Sequence, residues 1–286
     1  MNVLITGAAG VLGKAVTGLL ADEPGIQLRL TDVVDFHSPH EVVRADLANP
    51  EDVDGLCDDI DEVLHIASIH PWKEYTPAQY IDCNIKGTFN LLEAAAQGPV
   101  KRVIYTSSIA AMGMAPKADC PPPWDEAKPC TPYGHLYCVT KHVGEQCCHL
   151  FHQKGAFSYV FLRPGTFIPR ADDDPSFGLG LLSSWVHASD VAQAHLLAFR
   201  SDVENEAFVI TAKVPFTQAD SVQLLSDAPT LILRHFPRAA KLKAKGIELP
   251  ATLPRCYDVG KAERLLGYSP RVTFGTWLDS FLDGQV

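Results

Sequence analysis

"NVLITGAAGVLGKAVTGLLADE", residues 2–23, opens with five residues of strand character, runs at once into three spaced glycines, and continues with apolar residues at helical spacing. The segment reads as strand, glycine turn and helix. Gly7, Gly10 and Gly13 follow the spacing T-G-x-x-G-x-x-G, with Ala9, Val11 and Leu12 between them. Such a turn brings backbone N–H groups close to a pyrophosphate and aims the helix N-terminus at it. An acidic partner answers it: Asp32 closes the second strand, nineteen residues beyond Gly13. A carboxylate there accepts hydrogen bonds from both adenosine ribose hydroxyls and repels a 2′-phosphate. No arginine follows it, so the expected cofactor is NAD(H) rather than NADP(H).

Working outward, "IQLRLTD", "EVVRADL", "DEVLHIAS", "KRVIYTSS" and "SYVFLRPG" read as five further strands, with helical segments or loops between them. Residues 76–97 read as one long helix, with Tyr80, Ile81, Ile85, Phe89 and Leu92 along its apolar stripe. Strand–helix alternation predicts an α/β fold: a doubly wound parallel sheet of Rossmann type, covered on both faces. Beyond about residue 165 the pattern loosens. Residues 169–184 read as loop, 188–200 as helix and "EAFVITA" as strand. The expected division is a dinucleotide-binding domain over 1–165, carrying the catalytic groups, and a smaller substrate-binding lobe over 166–286, interleaved with the last sheet elements.

The chemistry-bearing segment is "YGHLYCVTK", residues 133–141. Tyr137 and Lys141 stand four apart, one helical turn from each other, whereas Tyr133 has Tyr137 rather than a lysine at its own i+4 position. A free phenol has a pKa of about 10, and a cation beside it favours the phenolate. So activated, Tyr137 takes a proton from a substrate hydroxyl or returns one to a carbonyl. Ser108, at the end of the fifth strand, is placed to hydrogen-bond the same substrate oxygen. Each residue alone has an ordinary structural explanation; their combination with the glycine turn points to catalysis.

Composition narrows the classes. With 47% apolar and 20% charged residues, the chain is of ordinary globular make-up. A formal charge of −10 disfavours nucleic acid, and the basic stretch "RHFPRAAKLKAK" (234–245) reads as a solvated helix face. No run of about 18 apolar residues suggests a membrane span, and "MNVLIT" lacks the features of a secretory leader. The eight cysteines form no C-x-x-C pair, so neither a metal site nor a disulfide framework is expected, and a reducing cytoplasm is.

Several motifs in order resemble the extended short-chain dehydrogenase/reductase family, the NAD-dependent epimerase/dehydratases. The resemblance implies adenine contacts from Asp46 and Leu47 in "RADLAN", and cofactor contacts from Ile66 and Ala67 in "LHIAS". It implies active-site support and a place in the cofactor-binding set for Asn84 in "NIKGTFNLLEAA", a catalytic role for Ser108 in "YTSSIAAMG", and a nicotinamide contact from Pro164 in "LRPG". Tyr137 and Lys141 become both catalytic and cofactor-binding residues, Lys141 holding the nicotinamide ribose. Substrate candidates are Ser68 and His70 after the fourth strand, Ser108 and Ile109 after the fifth, and Thr166 and Arg170 after the sixth. Ile69, Trp72 and Met112 are further wall residues. The family commonly pairs through the helices at 76–97 and 132–153, which implies a homodimer using Phe89, Leu150 and Phe151.

The short stretch from Gly165 to Val186 leaves little room for a nucleotide cradle, and the layout is nearest to the uronate dehydrogenase branch. This chain departs from that branch at two points. Ile109 stands where the branch has an asparagine, and Gly180 where it has a carboxylate-gripping arginine, for which Arg170 is the candidate replacement. The expected activity is hydride transfer between NAD(H) and a small alcohol, carbonyl or sugar-type substrate. Two alternatives stay open: an epimerase or dehydratase that retains its NAD, and a scaffold that binds NAD without turnover.

Overall fold

The computed structural model describes residues 1–113 and 120–285. Seven strands, β1 (Asn2–Thr6), β2 (Gln27–Asp32), β3 (Glu41–Arg44), β4 (Glu62–His65), β5 (Arg102–Thr106), β6 (Ser158–Pro164) and β7 (Glu206–Ile210), form one sheet in the order β3-β2-β1-β4-β5-β6-β7. β1 pairs in parallel with both β2 and β4, and strand order reverses there. In an open α/β sheet a ligand binds beyond the carboxyl ends of the strands at such a reversal. The fold is thus the doubly wound parallel sheet expected.

Contacts divide the chain into two compact units, the first made of Met1–Gly113, Cys130–Arg163 and Ala192–Phe208, the second of the remaining described residues. In the first unit, α1 (Val11–Ala21) follows the glycine turn and α2 (Pro50–Val53) is a single turn. A continuous helical stretch then runs through α3 (Pro77–Tyr80), a π-helical segment (Ile81–Gly87) and α4 (Thr88–Gln97). Thr76 starts it with a capping box to Gln79 and a proline in the first turn.

The stripe expected on this helix needs correction. Tyr80 and Leu92 are buried, but Ile81 is 47% and Phe89 37% exposed. The inward face instead carries Asn84, Gly87, Thr88, Leu91 and Ala95. A Cβ on Gly87 would lie 3.1 Å from the Leu47 side chain, so close approach selects small residues there. α5 (Leu136–Gln153) starts where the Nδ1 of His135 accepts the Tyr137 N–H. Phe151, expected on an outer face, is buried against Phe89 and Phe157.

The second unit contains α6 (Pro175–Gly180), α8 (Ser221–Ser226), α9 (Ala228–His235), α10 (Gly260–Leu266) and α11 (Phe274–Leu282), while α7 (Ala188–Arg200) spans the division in the chain. α6 corrects the expected loop over 169–184. Asp174 caps it through Ser176 N, Pro175 takes its first position, and Phe177, Leu181 and Leu182 are buried. Trp277 closes over this segment, stacks on Phe281 and donates its Nε1–H to Asp172 O at 2.8 Å.

Candidate active site

The glycine turn is a cradle that tolerates no side chains at two of its positions. Gly7 has φ +69°, and a Cβ there would lie 2.8 Å from the Ala67 backbone. A Cβ on Gly13 would lie 2.1 Å from Gly7 O. Gly10 and Val11 are exposed, Leu12 and Gly13 are buried, and no side chain caps the N-terminus of α1. The first-turn amides are therefore presented to an anion. Ala9 N donates to Asp32 Oδ2 at 3.0 Å, and Val34 N donates to Oδ1 at 3.3 Å, so the carboxylate is anchored beside the turn. These residues fit the phosphates and a ribose of NAD. Farther along, Asp46 is exposed and accepts the Ala48 N–H, while Leu47 is buried.

Two polar networks hold the loop after β4. Thr6 Oγ1 accepts N–H bonds from Ile66 and Ala67, both at 3.1 Å, which commits its hydroxyl proton to His65 Nδ1 at 2.8 Å. The other ring nitrogen of His65 then donates to Thr88 Oγ1 at 2.9 Å. Burial pushes this histidine down to about 3, so the neutral tautomer is fixed. Asn84 engages Ile69 from both sides, accepting its N–H at 2.9 Å and donating to its carbonyl at 3.0 Å. The same amide donates to Thr140 Oγ1 at 3.1 Å and accepts from Ser68 Oγ at 3.2 Å. All its hydrogen-bonding capacity is spent inside the protein, linking the π-helical segment to the loop and to α5.

Ser108, Tyr137 and Lys141 converge at the carboxyl edge of this sheet. Ser108 follows β5 and accepts the Ala110 N–H at 3.1 Å, capping a short 3₁₀ turn over Ile109–Met112. Ile109 and Met112 themselves are buried. Tyr137 is 8% exposed and Tyr133 61%, which separates the two phenols by environment as well as by spacing. Lys141 is buried, donates to Thr106 O at 2.9 Å, and places Nζ 5.9 Å from the centroid of the Tyr137 ring. From the loop after β4, His70 Nδ1 lies 3.1 Å from the Tyr137 oxygen, and its ring stacks on Trp72 at 4.8 Å.

The electrostatics correct one expectation. Burial pushes the Tyr137 phenol above its ordinary value, although a Ser108 hydrogen bond pulls the other way. Burial likewise pushes Lys141 down to about 7, against the opposing pull of Cys83 and Glu145. What the chain itself supplies thus raises the phenol rather than lowering it, because desolvation outweighs the Ser108 hydrogen bond.

The remaining predicted residues, Pro164, Thr166 and Arg170, belong to the second unit. Pro164 is buried at the end of β6, and Thr166 bridges to Trp185. Arg170 is exposed, reaches Asp174 at 3.4 Å and lies over the Trp185 ring.

Sequence reading missed a third network in the first unit. Glu145, one turn beyond Lys141, accepts from Arg163 Nε and Nη2, both at 2.8 Å, and from Ser107 Oγ at 2.6 Å. It ties the helix bearing Tyr137 to β6 and to the residue before Ser108. The signal was an arginine inside the otherwise apolar run "YVFLRPG". Among the described residues, Cys130, His142 and Glu145 bring potential ligand atoms within 4.8 Å of one another. A cation there would compete with the Arg163 guanidinium for the same carboxylate.

A reversed doubly wound sheet, a glycine cradle answered by a carboxylate, and a buried phenol with a lysine one turn along define a dinucleotide-binding α/β protein with a candidate proton-transfer site. The chain belongs to the NAD dependent epimerase/dehydratase family, whose model matches residues 3–176. It is 30% identical over 205 residues to a uronate dehydrogenase of Agrobacterium fabrum strain C58, covering 71% of this chain and 73% of that one. Among solved structures it is similar to a short-chain dehydrogenase/reductase superfamily protein from Agrobacterium tumefaciens with bound NAD. There the TM-score is 0.74 at 19% identity, over 100% of this chain and 97% of that one. It also resembles UDP-glucuronic acid 4-epimerase from Bacillus cereus in complex with NAD, with a TM-score of 0.69 at 22% identity, over 100% and 99% of the two chains. NAD is the family's cofactor, and the cradle described above suits it.

Proposed function

We propose that this protein is an NAD-dependent oxidoreductase that moves a hydride between NAD(H) and a small alcohol, carbonyl or sugar-type substrate. The observation that carries the reading is the buried Tyr137 oxygen, met by Ser108 and His70 and backed by Lys141 one helical turn along. Bound NAD supplies the hydride acceptor or donor, held by Gly7, Ala9, Gly10, Val11, Leu12 and Gly13 at its phosphates and by Asp32 at its ribose. Asp46, Leu47, Ile66, Ala67 and Pro164 complete that set, with Asn84 holding the loop.

In this reading Ser108 hydrogen-bonds the reacting oxygen of the substrate. Tyr137 takes its proton in oxidation and returns it in reduction, and Lys141 keeps a positive field beside the phenol. Ser68, His70 and Ile109 are the substrate-facing residues of the first unit, Thr166 and Arg170 those of the second, and residues 166–286, apart from Ala192–Phe208, form the substrate-binding lobe. The likeness to a uronate dehydrogenase makes free sugar acids the first compounds to test. The cysteines form no disulfide among the described residues, which suits the cytoplasm. Exposed Ile81, Phe89, Val139 and Leu150 on the helical stretch 77–97 and on α5 suit a homodimer, which light scattering tests.

The deciding experiment measures NADH formation with a panel of free sugars, sugar acids and simple alcohols, using Tyr137→Phe as control. Substrate-dependent NADH in the native protein, lost in the variant, supports the reading. Interconversion of a sugar without net NADH would replace it by epimerisation. NAD binding with no turnover of any panel member would leave a binding scaffold.

A further inference from the structure

We infer that the aromatic face of Tyr105 is a platform that holds the Lys141 ammonium in place, which makes this tyrosine a positioning residue for the candidate site. The task given to Lys141 rests on the hydride-transfer reading above; the contact itself does not. Lys141 Nζ lies 5.1 Å from the centroid of the Tyr105 ring, closer than its 5.9 Å to the Tyr137 ring. A cation within about 6 Å of a ring centroid is drawn to the negative face of the π system, more strongly where water is excluded. Water is excluded here: Tyr105 on β5 and Lys141 on α5 are both buried.

The surroundings of Nζ leave this task to the rings. Among the described residues the ammonium makes one hydrogen bond, to Thr106 O at 2.9 Å, which leaves two hydrogens for a bound ribose. Glu145, one turn along α5, is taken by Arg163 and Ser107. Burial pushes the Cys83 thiol on the π-helical segment up, so it stays neutral. His65 on β4 and His70 after it are pushed down to about 3, and the Tyr137 phenol is pushed up, so these three also carry no charge near neutrality. Among the described residues no carboxylate pairs with this cation, and the ring faces supply the negative potential within its reach.

The Tyr105 ring is itself fixed. It stacks on His65 with centroids 5.4 Å apart, and Thr6 and Thr88 hold that imidazole at both nitrogens. Phe161 stands edge-on to it at 6.2 Å. Gly144, on the same face of α5 as Lys141, lies against the far end of the ring, where a Cβ would be 2.2 Å from Tyr105 Oη. That hydroxyl is buried with no hydrogen-bond partner among the described residues. The π face, not the hydroxyl, therefore serves Lys141: phenylalanine would keep it and an aliphatic side chain would lose it.

Two measurements on the full chain test the platform. The first needs no turnover. Tyr105→Phe is followed by mono-, di- and trifluorinated phenylalanine at the same position, a series that nearly keeps the shape of the ring while its negative face fades. Lys141 is titrated by ¹³C spectra of labelled lysine side chains, assigned through Lys141→Met. Tyr105→Phe should titrate as the native protein does, and the trifluorinated ring should lower the Lys141 midpoint by about one pH unit, with the others in order between. A midpoint unmoved across the series overturns the platform, since a role in core packing alone would leave it unmoved. The second is kinetic, on whichever panel compound yields NADH. Across the same series kcat at pH 7 should fall about fivefold, the loss of charged fraction when a group titrating at about 7 drops by one pH unit. A kcat that stays native while the midpoint falls overturns the positioning role. Absence of turnover in the native protein would sink the hydride-transfer reading instead, with the titration still deciding whether the ring holds the ammonium.

Discussion

The first unit buries His65, Asn84, Lys141, Glu145 and Arg163 close to its candidate site, whereas the second fills its interior with Phe177, Phe216, Leu231, Phe274 and Trp277. In the second unit the buried Asp190 carboxylate accepts the Arg271 and Val272 N–H groups at 2.9 and 3.0 Å and so serves the backbone. A polar group taken from water costs about 1–3 kcal/mol when left unpaired, while apolar burial is favourable wherever shapes fit. The first unit accepts that risk in order to hold loops and a candidate proton site in fixed positions. The second uses its interior for stability. Positional demands and packing demands have been met by different parts of one chain.

If that contrast is sound, a packing mutation in the second unit should unfold without touching the cofactor cradle. Trp277→Ala removes an indole packed on α6 and stacked on Phe281, and should cost about 3–5 kcal/mol in denaturant titration. At temperatures where the variant remains folded, its NAD affinity should stay native by calorimetry; a lost affinity would break the contrast. The converse change is Gly13→Ala, whose Cβ would meet Gly7 O at 2.1 Å. Overpacking of this kind costs about 1–3 kcal/mol, and NAD affinity should fall about a hundred-fold as the turn distorts.

Asn84→Ala strips the clamp from Ile69 and leaves Thr140 and the Ile69 backbone to find other partners. A loss of about 1–3 kcal/mol is expected, with kcat falling more than the KM for NAD changes, because the displaced loop carries His70. Equal loss in both parameters would mean that Asn84 serves the cofactor directly.

A further set of effects comes from pH, measured without added nucleotide. His65 and His70 are both pushed down to about 3 by burial. The unfolded chain therefore binds protons below about pH 6.5 that the folded chain refuses. Their contribution is present above pH 6.5 and is lost as pH falls toward 3. Lys141 is pushed down to about 7, so its contribution is full above its unfolded value near 10.5 and is lost as pH falls through 7. Stability should then rise with pH between 7 and 10.5 in the native protein and rise less steeply in Lys141→Met. Identical slopes would mean that burial of this lysine carries no such penalty.

What could be read in advance follows the same contrast. The cradle was legible because a tight turn against Ala67 admits only glycine at position 7, and Asp32 closes the next strand beside that turn. Tyr137 was separable from Tyr133 because only one phenol has a lysine one turn along. The expected stripe through Ile81 and Phe89 failed because hydrophobicity marks the inward face only where neighbours leave room for large side chains. At Gly87 they do not. The 169–184 segment read as loop because its glycines and aspartates hid a short helix whose order comes from Trp277, far away in the chain. A helix that short depends on tertiary packing rather than on its own residues.

By itself the sequence determined the strand–helix alternation, the glycine turn with its acidic partner, and the Tyr137–Lys141 spacing, since each depends on residues near one another along the chain. Only the tertiary structure decided that His70 meets the phenol, that Glu145 joins Arg163 and Ser107, and that desolvation of the Tyr137 phenol outweighs its Ser108 hydrogen bond. Those outcomes depend on which distant groups share a space closed to water, where distance and dielectric, not residue type, set the energy.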